Sequence, residues 1–245
     1  MYVGSDIVDI DAPVTVRESK RARRPSLTVN RRGLEVVLPQ RFPRESLAAF
    51  LHQHRDWIAR TIDRARDEFD GFDEGGVPAL PNELDLKACN ARFAIEYVAG
   101  TSQSNPLSCD GATLTVVDSA GDVDRICGLL REFTKAFARD AFTQHVASLS
   151  EETGLPYSRI TVRGQRTRWG SYSPSGSLSL NYKLLFLPAA LYRHVLLHEL
   201  CHSRYLNHSA GFWRLLRSFD PDTDAHNRAL RRGDRYIPEW VDYKA

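Results

Sequence analysis

The chain has 245 residues, 42% of them hydrophobic and 26% charged, with 33 basic against 31 acidic side chains and a net charge of +2. That balance suits a soluble globular protein with one large or two small cores, and global charge selects no class of partner. No apolar run of about eighteen residues exists, so no membrane span is expected.

The first residues, Met1 to Asp6, carry neither a basic nor an apolar segment of the signal-peptide kind. Cys89, Cys109, Cys127 and Cys201 are scattered and form no C-x-x-C pair. They read as reduced thiols, and the expected location is cytoplasmic.

Residues 2–10 and 14–19 read as two short strands, with a turn at Asp11, Ala12 and Pro13. Residues 27–30 and 34–38 follow as a hairpin closed around Gly33. Lys20, Arg21, Arg23, Arg24, Arg31 and Arg32 cluster here. Such a cluster suits a phosphate or nucleic-acid contact. No aromatic lies among the arginines to stack a base, which tips the balance toward a solvated strand face.

Residues 43–69 read as one helix, started by Pro43 and striped by Phe50, Leu51, Trp57, Ile58 and Ile62. Trp57 is expected in the core. Residues 71–81, rich in Gly, Pro and acids, form a loop and a candidate internal boundary. Four short runs, 84–87, 92–98, 106–109 and 113–117, then suggest a small antiparallel sheet.

Residues 123–153 form a long helix stopped by Gly154 and Pro156, with Ile126, Leu130, Phe142 and Val146 on its core face. His145 near that face reads as structural. Strands are expected over 160–163, 168–172 and 177–186, the last two joined by a turn at 174–176. The fold class is thus α+β. An N-terminal β-rich part with a helix is placed at 1–118, and a C-terminal domain of helix, sheet and helices at 119–245.

The stretch with the most chemistry is His198-Glu199-Leu200-Cys201-His202. It lies in an apolar-spaced run that predicts a helix over 189–204. At i and i+4, His198 and His202 share one face and can share one metal ion, with Glu199 beside it as a base. His208 follows beyond the turn-like Asn207 and can return as a third imidazole. Three histidines and one open position make a catalytic zinc site.

The spacing from His202 to His208 is that of metzincins, yet Tyr205 stands where those have glycine, and Met1 is the only methionine. A third ligand from Asp220, Asp222, Asp224 or Glu239 stays open, at lower weight. Cys201 reads as core. Residues 210–219 form an apolar helix in which Phe212 and Trp213 pack beneath the metal. The acids from 220 to 224 cap a helix over 225–232.

Ile160–Arg163, Arg166-Thr-Arg-Trp-Gly-Ser171, Leu180-Asn-Tyr182, the His198–His202 motif and Asn207-His-Ser209 with Phe212-Trp213 occur in that order. In the N-terminal half, an Arg-rich strand precedes His54-Arg-Asp-Trp-Ile58. This set resembles the YgjP-like metallopeptidase family, related to the SprT-like and WLM zinc proteases. Members often carry cysteine where this chain has Tyr172.

The resemblance implies a minimal zincin-like domain and a zinc-dependent peptidase acting on a peptide or protein. His198, His202 and His208 would hold Zn2+, and Glu199 would be the general base. Tyr182, His194, Tyr205 and Arg168 are candidates for the oxyanion donor. An extended substrate is expected on an edge strand at 177–184. Arg163, Arg166 and Arg168 would either meet an acidic or phosphorylated substrate or pair with acids. Two alternatives stay open: a metal-dependent nucleoside triphosphate pyrophosphohydrolase, and a nucleic-acid-associated SprT-like protease or binding module.

Overall fold

The computed structural model describes residues 10–20, 22–30, 33–69, 77–100, 106–118, 121–165 and 168–243. Residues 2–9 of the expected first strand, and Arg21, Arg31, Arg32 and Arg166, lie outside those residues. The chain divides into two compact units, Met1–Val77 and Pro78–Ala245. Among the described residues no helix is long and apolar enough to cross a membrane.

In the first unit, β1 (Val14–Ser19), β2 (Ser26–Asn30) and β3 (Gly33–Pro39) form a sheet of order β1-β3-β2. β2 pairs antiparallel with β3, opposing Asn30 to Gly33. Gly33 is needed there: its φ is +94°, and a Cβ would lie 2.0 Å from Pro13 O. Alternation buries Leu34, Val36 and Leu38 on one face.

The helix expected over 43–69 is broken. α1 (Leu47–Gln53) ends at His54, and α2 (Arg55–Phe69) restarts after it. The His54 N–H turns back to Leu51 O at 3.1 Å, and its Nδ1–H donates to Phe50 O at 2.8 Å, which interrupts the helical ladder. Ile58, Ile62 and Ala65 carry the buried stripe of α2. Trp57 lies one position off it and is 41% exposed, so it is not a core residue.

In the second unit, β4 (Glu83–Leu86), β5 (Ala91–Val98), β6 (Leu107–Asp110) and β7 (Thr113–Val117) form a sheet of order β4-β5-β7-β6. It is mixed, not antiparallel: β6 takes the edge and β7 returns parallel to β5. Helix α3 (Val123–Thr153) begins where Asp122 accepts the Arg125 N–H and ends at Gly154, φ +69°. His145 is structural, with Nδ1 2.9 Å from the Tyr192 hydroxyl.

A single core joins Leu84, Phe93 and Leu114 to Leu130, Phe142, Leu180, Leu200 and Phe212. The boundary expected after residue 118 therefore falls inside this unit, because the strands from 83 to 117 bury their apolar face in the same core as the helices.

β8 (Arg159–Arg163), β9 (Gly170–Tyr172) and β10 (Ser177–Asn181) form a third sheet of order β8-β10-β9. β10, expected as an edge, is the central strand, parallel to β8 and antiparallel to β9. It also stops early. Asn181 Oδ1 accepts the Lys183 N–H, and its Nδ2 donates to Gln165 O and Arg168 O. The buried residues from Tyr182 to Phe186 curl into a 3₁₀ helix instead of extending the strand.

Candidate metal centre

Helix α4 (Ala189–Cys201) carries His198 and Glu199, and His202 closes it as C-cap. Leu191, Val195, Leu196 and Leu200 are buried, which anchors the helix by its apolar faces. Past His202 the backbone tightens: Arg204 and Tyr205 both donate to Cys201 O. The Tyr205 ring then packs on Gly211, where a Cβ would lie 2.8 Å from Tyr205 Cε1. That contact folds the chain back and brings His208 over α4.

His208 immediately precedes Ser209, the N-cap of α5 (Ala210–Phe219), which accepts the Phe212 N–H at 3.4 Å. The three imidazoles therefore come from a helix, its C-cap and the residue before the next N-cap. One ring nitrogen of each lies within 4.8 Å of the others. His198 Nε2 and His208 Nε2 are 3.0 Å apart. His202 Nδ1–H donates to Tyr205 O at 2.9 Å, which leaves its Nε2 as the lone pair.

Phe212 lies beneath all three rings, at centroid distances of 4.9, 4.7 and 4.8 Å from His198, His202 and His208. Trp213 stacks on His208 at 5.5 Å. Phe212 is fully buried and Trp213 partly so. Burial, then the neighbouring His202, His208 and His194, lowers the His198 pKa to about 3. Burial and His202 also lower that of His208. Neutral imidazoles with converging lone pairs are the donor set a divalent ion requires, so these residues fit a metal.

Among the described residues none of the acids weighed as a third ligand joins the three imidazoles. Asp220 bonds His194 and His226, and Asp224 pairs with Arg217. Asp222 stands at the N-cap position of α6 (Thr223–Leu230) without a side-chain cap bond, and Glu239 opens α7 (Glu239–Asp242).

Glu199 is buried, 6% exposed, and burial raises its carboxyl to about 7. It packs directly on β9: a Cβ on Gly170 would lie 2.8 Å from Glu199 Cγ and 2.9 Å from Oε1. Gly170 is thus required by close approach. Its only trace in the sequence is a glycine at the start of an expected strand, beside Trp169.

Of the four donor candidates, Tyr182 is buried beside Gly164 and beneath Lys135, and His194 is buried against Asp220 and Asn227. Tyr205, 40% exposed, and Arg168 remain at the surface. Arg163 is exposed too, and among the described residues neither it nor Arg168 forms an ion pair.

The family model described as YgjP-like, metallopeptidase domain, matches residues 23–233. None of the curated proteins compared with the chain matches it. Among solved structures, the chain is similar to the metallopeptidase zymogen jannalysin of Methanocaldococcus jannaschii, at 20% identity and a TM-score of 0.34 over 37% of this chain and 94% of that one. The zymogen abylysin of Pyrococcus abyssi is similar at 20% identity and a TM-score of 0.33, over 37% and 92%.

Proposed function

The chain belongs to the YgjP-like metallopeptidase family, and on that premise we propose that it is a zinc-dependent peptidase with His198, His202 and His208 as ligands and Glu199 as general base. The observation that carries this reading is the convergence of the three imidazoles beside a buried Glu199.

Zinc held there supplies Lewis acidity, acidifying water and polarising a carbonyl. The protein supplies the remainder. Phe212 and the Tyr205 carbonyl hold the imidazoles in place. Gly170 lets Glu199 lie against the backbone of β9. With a proton affinity near neutrality, Glu199 takes a proton from the attacking water at a carboxylate oxygen. It returns that proton to the leaving amine nitrogen. The new bond is carbon to oxygen and the broken one is carbon to nitrogen, so one water adds across the amide.

An extended peptide fits the outer edge of β9, where backbone pairing would set its scissile carbonyl beside Glu199. Arg163 and Arg168, exposed and without an ion pair among the described residues, keep a nucleotide substrate as the second reading.

The test is hydrolysis by the zinc-loaded chain of a mixed peptide library and, in parallel, of nucleoside triphosphates, each with and without a chelator. Chelator-sensitive peptide cleavage is the expected result. Release of phosphate or pyrophosphate without peptide cleavage would move the reading to a phosphoanhydride hydrolase.

A further inference from the structure

A second set of metal-type donors converges in the same unit. His194 stands on α4 one turn before His198, Asp220 is the C-cap of α5, and His226 lies on α6. One ligand atom of each lies within 4.8 Å of the others. Asp220 Oδ2 is 2.9 Å from His226 Nδ1 and is also bonded by His194 Nδ1. The His194 side chain is 1% exposed, that of Asp220 10% and that of His226 21%, so the cluster is closed except on the His226 side.

Two observations call for positive charge at this point. A buried carboxylate needs a cationic partner. Among the described residues no Lys or Arg pairs with Asp220, and the groups that face it are the two imidazoles, which are cationic only when protonated. Secondly, His194 Nε2 lies 3.2 Å from Asn227 Oδ1. As an acceptor, that oxygen holds a proton on Nε2. A neutral His194 then turns its Nδ1 lone pair toward the lone pairs of Asp220. A positive centre between them removes the repulsion. A proton on His194 would need one imidazole only, whereas a metal ion uses both imidazoles and the carboxylate.

We propose that His194, Asp220 and His226 form a second metal site, which takes a divalent transition ion such as Zn2+ through two imidazole nitrogens and one carboxylate oxygen. Each imidazole ligates through Nδ1 and keeps its proton on Nε2, which for His194 is accepted by Asn227, the outer arrangement usual for metal-bound histidine. The ion enters from the His226 side. The site is too closed for a substrate, so its task is structural: it ties α4, which carries His198, to α6.

The experiment is a zinc count on the full chain, loaded with Zn2+ and freed of excess by gel filtration, with circular dichroism to check that each variant folds. About two zinc ions per chain are expected for the wild type, and about one for His226→Gln, for Asp220→Asn and for the double variant His202→Ala/His208→Ala. One ion in the wild type, unchanged in His226→Gln and Asp220→Asn, would overturn the proposal and leave an imidazolium–carboxylate pair. Two ions in the wild type, both kept by those two variants, would overturn it by placing the second ion elsewhere. One ion, lost in His226→Gln but kept when His202 and His208 are removed, would support this site and refute the three-histidine centre.

Discussion

Two imidazole clusters share helix α4, one turn apart, and they are built differently. At His198, His202 and His208 the rings face one another over Phe212, the third ring is exposed, and no carboxylate of the described residues joins them. At His194, Asp220 and His226 the rings converge on a buried carboxylate that both approach through Nδ1. The first cluster has Glu199 and the outer strand β9 beside it. The second faces Asn227 and the body of α6. Helical position is nearly the same for His194 and His198. Surroundings, not spacing, separate a site open to substrate from a closed clamp.

Breaking the open cluster should have the largest effect. His202→Ala or His208→Ala should remove its metal ion and all detectable turnover, while His226→Gln should leave turnover within a few-fold; parallel metal analysis and peptide assays check this. Next comes the wall of Glu199. Gly170→Val should push the carboxylate by about an ångström and lower kcat by about 10²-fold with metal content unchanged. A Gly170→Val enzyme of wild-type kcat would mean that the contact with β9 has no part in catalysis.

In the closed cluster, Asp220→Asn should cost about 1–3 kcal/mol of stability, read from denaturant midpoints, with a much smaller change in turnover. A further effect, confined to the metal-free chain at low pH, separates the clusters by titration. His198 stays neutral in the folded, metal-free chain down to about 3, against an ordinary value of 6.5. Between those values the unfolded chain binds more protons, so this residue's contribution to stability declines as pH falls from 6.5 toward 3 and is constant above that range. His198→Gln should flatten that part of the metal-free stability profile. An unchanged slope would show that His198 titrates normally.

The sequence spoke clearly where the physics is local. The i, i+4 spacing put His198 and His202 on one helix, Gly154 ended α3, and residues 174–176 turned β9 into β10. It spoke poorly where distant groups decide. Residues 182–186 look like strand, but Asn181 ties the chain to Gln165 and Arg168 and starts a 3₁₀ helix. The parallel pairing of β5 with β7 depends on where β6 goes. Trp57 has the hydrophobicity of a core residue and the wrong helical phase. Gly170 against Glu199, and His194 against Asp220 at a separation of 26 residues, are contacts that no local pattern announces.

The central claim is that Glu199 acts on substrate at a metal held by His198, His202 and His208. The most direct measurement is peptide turnover by zinc-loaded Glu199→Gln beside the wild type, at equal zinc content. The account predicts unchanged zinc and a loss in kcat of about 10³-fold, the usual scale for a general base. Full turnover by Glu199→Gln at equal zinc would contradict it, because the buried carboxylate would then take no part in moving the proton.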